Sequence, residues 1–281
     1  MRTKRREEYL AARLLLPASL RPFIMVVVAF MDETDGRIDQ GDRGLRQKAL
    51  QAWDRDVRTA LEGGVDVQSG TLRALADTAR RFAHLTARVH EFLDGAPVEA
   101  AWTGFETETD FQRYVDSYSM PALMLTASFI EPAPESDKHE PFLQGCRRLI
   151  EAMQRTDFLA DLPEDLEQGR VGIPKDALQQ QGLDIARLRA QQREAASGAE
   201  RVVTVQADLA AEAFSGCDGL PALVDPQYRP FLRALVSVQQ LRLEAVKQNT
   251  ESILQTGASP SALSAACVLL REYRSARREQ N

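Results

Sequence analysis

From Phe23 to Met31 the chain runs nine residues without a polar side chain. It then passes straight into Asp32-Glu33-Thr34-Asp35-Gly36-Arg37-Ile38-Asp39. Nine residues are about half of the ~20 needed to cross a bilayer, so the run is a core element and not a span. Apolar all round, it predicts a helix buried on every side. Such a helix carries its acids to the mouth of a core cavity.

The other segments have the same period. Ala, Leu, Arg, Glu and Gln are abundant, and β-branched alternation is scarce. Helices are expected over 7–16, 43–61, 71–93, 108–130 and 141–162, with two more in 176–215 and a last pair over 228–254 and 260–277. Pro17–Pro22 is read as a turn, and Glu131–Asp137 as a proline-rich acidic loop. No Gly/Ser linker divides the 281 residues. The expected fold is therefore all-α: one domain, 1–281, a helical bundle whose ligand site is its central cavity. Met1-Arg2-Thr3-Lys4-Arg5-Arg6 is expected to be a flexible basic N-terminus.

Several function classes drop out. A net charge of −6 and a pI near 5.3 do not suit a general nucleic-acid binder. Cys146, Cys217 and Cys267 are too scattered for a disulfide framework or a zinc site, and are expected to be reduced, mostly buried thiols. His84, His90 and His139 show no i, i+4 pairing and are expected to be surface or packing residues. No Gly-x-Gly-x-x-Gly follows a strand, so a nicotinamide step is not expected. Without a leader or a spanning segment, a soluble cytoplasmic protein is expected. Oligomeric state is left open.

A second acidic stretch begins at Asp157. Residues four apart on a helix share a face. Asp157, Asp161 and Asp165 therefore form a stripe, as do Asp35 and Asp39, with Asp32 extending the latter. Like charges at this spacing cost a few tenths of a kcal/mol, which solvent or a cation can offset. One such pair is a weak sign: Asp208 and Glu212 are also four apart and are assigned no role. Here, however, one stripe ends an apolar helix, and the other leads into Gly169-Arg170-Val171-Gly172-Ile173-Pro174. Pro163 suggests a kink or a helix end within the second stripe. Stripes on facing helices can hold hard divalent cations that grip a diphosphate.

These motifs resemble the squalene/phytoene synthase family. Leu15-Leu16-Pro17 with Arg21 matches its first segment, and Ala29-Phe30 followed by Asp35 and Asp39 its first aspartate motif. Gln154, Asp161, Glu164, Asp165, Gly169, Arg170 and Pro174 match its second motif and tail. The resemblance covers roughly residues 5 to 275. It implies an isoprenoid-synthase helical fold. It also implies Mg²⁺ held by Asp35, Asp39, Asp161 and Asp165, with Asp157 as a further candidate ligand, against the diphosphate of an allylic donor. Arg21, Asp32, Gln154 and Tyr114 are the matching candidates for substrate contact.

The departures narrow this expectation. Asp157 stands where the family has Asn, Ala160 where it has Arg, and Asp32 where it has another Arg. Lys4, Arg5 and Arg6 are candidate substitutes for the lost cations. The family's small-residue patch after Tyr114 is replaced by Tyr118-Ser119-Met120-Pro121-Ala122-Leu123. Tyr118, Ser119, Met120 and Leu123 add bulk where two long chains would lie, and suit a flat aromatic acceptor. The expected activity is Mg²⁺-dependent transfer of a short prenyl group to a ring carbon, most like the squalene-synthase-like carbazole prenyltransferases of actinobacteria. A head-to-head isoprenyl synthase and a non-catalytic relative are the competing readings.

Overall fold

The computed structural model describes residues 6–39, 43–64, 69–190 and 193–279. Every regular element among them is helical. In chain order these are α1 (Arg6–Leu15), α2 (Arg21–Asp39), α3 (Arg43–Leu61), α4 (Gly70–Arg81), α5 (Leu85–Ala101), α6 (Glu108–Tyr114), α7 (Met120–Ala127), α8 (His139–Ala160), α9 (Leu162–Glu167), α10 (Lys175–Gln179), α11 (Ile185–Arg189), α12 (Arg193–Ser215), α13 (Leu220–Leu223), α14 (Arg229–Gln248), α15 (Ile253–Thr256) and α16 (Ala262–Glu279). A π-helical segment, Val115–Ser119, lies between α6 and α7. The chain groups into two compact units. One comprises 17–102 and 116–131; the other comprises 1–16, 103–115 and 132–281.

In the 17–102/116–131 unit, α2 packs against α3, α4, α5 and α7. Ile24, Val27, Phe30, Thr34 and Ile38 point inward. Phe30 stacks on Trp53 and meets Phe92 edge-on. The expectation that 23–31 is buried on every side does not hold. Met25 is 40% exposed, Ala29 is exposed, and Val26, Val28 and Met31 are half-buried. The neighbours of α2 in this unit cover one side of it only. The expected helix over 71–93 is two helices. α4 buries a stripe of Leu72, Leu75, Ala76 and Ala79 and is capped by the Ser69 hydroxyl. The chain then turns at 82–84, and α5 runs on to Ala101.

The expected helix over 108–130 is present as a continuous run from 108 to 127, with a π bulge at 115–119 whose reason is visible at Pro121. In an unbroken α-helix the N–H of residue 121 would bond the Ser117 carbonyl, and proline has none. The ladder loosens into the π segment, and the Ser117 carbonyl lies against Gly95 of α5, where a Cβ would overlap it. The close approach of these elements therefore depends on both residues.

In the other unit, α8 packs on α12, α13 and α14, while α1 packs on α14 and α16 through Ala11, Leu15, Ala234 and Leu269. Phe105, Phe111, Tyr114 and Phe158 form an aromatic cluster. Beside it is a buried polar network. Arg155, only 4% exposed, donates to Glu151, Glu108 and Gln206 and lies over the Phe111 ring at 4.2 Å. Gln112 and Arg147 also donate to Glu151. Burial opposes ionisation of Glu151, but the hydrogen bonds from Gln112 and Arg155 and the two guanidinium charges prevail, so its carboxyl is held below its usual value. The spans 176–215 and 228–254 each carry one more short helix than expected: α10 and α11 precede α12, and α15 follows α14.

Candidate functional site

The uncovered side of α2 is the one that ends in acids. Met25, Val28, Asp32, Asp35 and Asp39 follow one another at i, i+3, i+7, i+10 and i+14, the spacing of a single helix side. Met25 and Asp32 are exposed, and Val28 and Asp35 are half-buried. The side chain of Asp39 lies outside the described residues. The helix thus presents an apolar strip running into a carboxylate strip. An isoprenoid diphosphate has the same two halves.

Local contacts fix this strip. Thr34, fully buried, bonds the Phe30 carbonyl and accepts from the Trp53 indole N–H at 2.8 Å. Arg37 lies over the Trp53 ring at 3.7 Å and pairs with Glu33 at 3.1 Å. One arginine within the acidic stretch is therefore turned to packing. From the end of the π segment, the Tyr118 hydroxyl donates to Asp35 Oδ1 at 3.3 Å, and its ring stacks on Phe92. Met120 and Leu123 are half-buried and Ser119 is 2% exposed. Arg21 is half-buried at the start of α2.

The second stripe crosses a helix break. α8 ends at Ala160 and α9 starts at Leu162, with Pro163 in its first turn. The break falls at Asp161, so that Pro163 sits in the first turn of α9, where its missing N–H costs no intrahelical bond. The i, i+4 ladder nevertheless continues. Asp161 N–H bonds the Asp157 carbonyl at 2.9 Å, and Asp165 N–H bonds the Asp161 carbonyl at 3.0 Å. Asp157, Asp161 and Asp165 therefore keep their register. Gln154 and Asp161 are half-buried, and Asp165 is 8% exposed.

The Gly-Arg tail holds α9 in place. Gly169 takes φ +75°, a left-handed conformation suited to glycine after a helix. Arg170 returns to Asp165, its N–H on the Asp165 carbonyl and its Nε 3.5 Å from the carboxylate. Gly172 passes so close to Phe158 that any Cβ would overlap the ring. Gly257, at φ +62°, lets Ala258 N–H reach the Ala160 carbonyl at 3.3 Å.

Two residues were not anticipated. One is Trp53, whose indole N–H holds Thr34 and whose ring carries Arg37. Arg242 pairs with Asp157 at 2.9 Å, so a carboxylate expected to be a metal ligand is engaged by a guanidinium. Its signal was the α14 stripe Leu235, Val238, Gln239, Arg242, Val246, which places an arginine on a buried helix side. Of the proposed substitute cations, Lys4 and Arg5 lie outside the described residues, and the Arg6 side chain does too. Tyr114 is 5% exposed within the aromatic cluster. A groove of about 480 Å³, lined by Gln51, Asp54, Arg58, Leu93 and Asp94 among others, includes none of the expected site residues.

The donor chemistry suits Mg²⁺. This ion takes hard oxygen ligands and is usually bound through one or two carboxylates with water and phosphate oxygens completing the shell. Paired aspartates at helical spacing supply such a set. Among the described residues no three His, Cys, Asp or Glu side chains form a cage.

The profile of the squalene/phytoene synthase family matches residues 1–264. The chain is 32% identical over 259 residues to the bifunctional protein CrtB/UppS of Streptomyces coelicolor, covering 89% of this chain and 43% of that protein. It is 30% identical over 183 residues to a phytoene synthase of Mycobacterium bovis, covering 65% of this chain and 57% of that one. The chain thus spans about half the length of the curated relatives it matches. Among solved structures, a dehydrosqualene synthase superposes with a TM-score of 0.80 at 22% identity, covering 98% of this chain and 92% of that one. Squalene synthase HpnC of Alicyclobacillus acidocaldarius gives a TM-score of 0.74 at 23% identity, covering 86% and 88%. These likenesses show a shared helical fold. With the family profile running from residue 1 to residue 264, the start of α16, the chain belongs to the squalene/phytoene synthase family.

Proposed function

We propose that residues 1–281 act as one Mg²⁺-dependent prenyltransferase domain that ionises an allylic diphosphate and couples the prenyl group to a second isoprenyl diphosphate. The observation that carries this reading is the open side of α2, apolar from Met25 to Val28 and acidic from Asp32 onward. A prenyl chain lies along the first part and its diphosphate at the second. Asp35 with Asp39, and Asp161 with Asp165, are the Mg²⁺ ligands. Bound there, Mg²⁺ stabilises the departing diphosphate as a Lewis acid. Tyr118 orients Asp35, and Arg170 orients Asp165. The allylic cation is captured by the double bond of the second donor, and the proton lost passes to the released diphosphate. The similarity to a phytoene synthase and to CrtB/UppS supports this choice of acceptor.

A second reading keeps the ionisation and changes the acceptor to an aromatic ring of the carbazole type. Tyr118 favours it: a phenol stacked on Phe92 beside Asp35 puts an aromatic wall where a small residue would leave room for a second chain. One experiment separates the two. The protein is incubated with Mg²⁺ and farnesyl or geranylgeranyl diphosphate, and in parallel with dimethylallyl diphosphate and a panel of indoles and carbazoles. Coupled hydrocarbon or its cyclopropyl precursor supports the first reading; a prenylated ring supports the second. Release of no diphosphate under any condition would sink both.

A further inference from the structure

Arginine on a buried helix side needs a reason, because an unpaired guanidinium there is costly. Arg242 continues the inward stripe of α14, with a side chain 19% exposed. It therefore points at α8, against which α14 packs. There its Nη1 meets Asp157 Oδ1 at 2.9 Å. Asp157 is itself 38% exposed at the side chain, so the pair sits at an open edge of the helix.

The position is informative. Asp157 lies one helical turn before Asp161, and the residue adjoining Asp161 on its N-terminal side is Ala160, which offers only a methyl group. A diphosphate at this stripe would face three aspartates. Arg242 from one end and Arg170 from the other leave a single net negative charge among these five groups. Guanidinium is also the side chain best shaped for phosphate oxygens, with a planar fork of donors.

We propose that Arg242 is the diphosphate-binding cation of the second acidic motif, supplied from α14 and held ready by Asp157. Asp157 is then a positioning residue for Arg242 and not a metal ligand. The proposal rests on the function proposed above and narrows it, by naming a cation of this chain that would hold the diphosphate.

The test is calorimetric binding of inorganic pyrophosphate in the presence of Mg²⁺ to the full chain. The variants are Arg242→Gln, Arg242→Lys and Asp157→Asn, each checked by thermal melting without ligand. Arg242→Gln is expected to weaken binding by about tenfold or more, as loss of a charge-assisted pair to phosphate should. Arg242→Lys should recover part of the loss. Asp157→Asn should bind at least as tightly as the unaltered protein, since the guanidinium loses a competing acceptor. If Arg242→Gln does not fold, the other two variants carry the test. Unchanged binding in the Arg242 variants would overturn the proposal. So would an Asp157→Asn loss as large as that of Arg242→Gln, which would return Asp157 to the metal. Failure of the unaltered protein to bind Mg²⁺ and pyrophosphate would instead overturn the functional reading beneath it.

Discussion

The phenol of Tyr118 donates to the carboxylate of Asp35 across 3.3 Å while its ring stacks on Phe92 with centroids 5.8 Å apart. One side chain thus holds an acid by its tip and shapes a wall by its face. The two roles separate by substitution. Tyr118→Phe keeps the wall and removes one hydrogen bond to Asp35, a net loss of about 1 kcal/mol. It should weaken Mg²⁺-dependent pyrophosphate binding roughly fivefold, with the choice of prenyl donor unchanged. Tyr118→Val with Met120→Gly should instead admit a longer donor. Product chain length, measured by mass spectrometry, checks the second effect.

Arg155 should behave as a structural residue. Removing one member of a buried ion-pair network leaves its partners charged and unpaired, at a cost of about 3–5 kcal/mol. Arg155→Met is therefore expected to lower the melting temperature markedly. Adding Glu151→Gln should recover part of the loss, because the stranded charge is gone. A melting curve for Arg155→Met that overlays the unaltered protein would show that the network contributes nothing.

The same network sets an acid limit. Because the Glu151 carboxyl is held below its ordinary value of 4.5, the folded state binds that proton less readily than the unfolded chain. The stability it contributes is complete above the unfolded value and is lost as pH falls through the lowered folded value. Melting temperatures between pH 6 and pH 3 should thus fall more steeply for the unaltered protein than for Glu151→Gln, and the two curves should approach each other in acid.

The three cysteines should react in two classes. Cys267 is exposed, whereas Cys146 and Cys217 are buried. Burial and the nearby Asp218 push the Cys217 thiol up to about 12, against the opposing charge of Arg148. A thiolate-seeking reagent at pH 8 should modify one thiol quickly and the other two only on unfolding. Cys267→Ser should abolish the fast phase.

Much of this architecture is legible in the sequence, because helical period and aspartate spacing are local signals. The bounds of α3 match the expected 43–61, and Pro163 marks the break that separates α8 from α9. What is not legible depends on neighbours distant in sequence. The apolar run at 23–31 carries no sign that only one of its sides would be covered. Arg242 and Asp157 are 85 residues apart, so no spacing rule joins them. Arg155 is buried only because Glu108 and Gln206, 47 and 51 residues away, are brought to it. Pro121 is legible as a residue type that disturbs a helix, but the outcome, a π turn against Gly95, depends on the second helix.

A π turn is an α-helix holding one residue of surplus. Remove a residue between Val115 and Ser119, and the segment could close into regular α-helix, keeping the flanking helices in place while the side chains between them are re-set. The hydrogen bond that Tyr118 gives Asp35 would be among the contacts re-set. The length of this segment, as much as its composition, decides what meets the first aspartate motif. Single-residue insertions and deletions at 115–119 would therefore be a more economical route to altered acceptor choice than substitution along the wall.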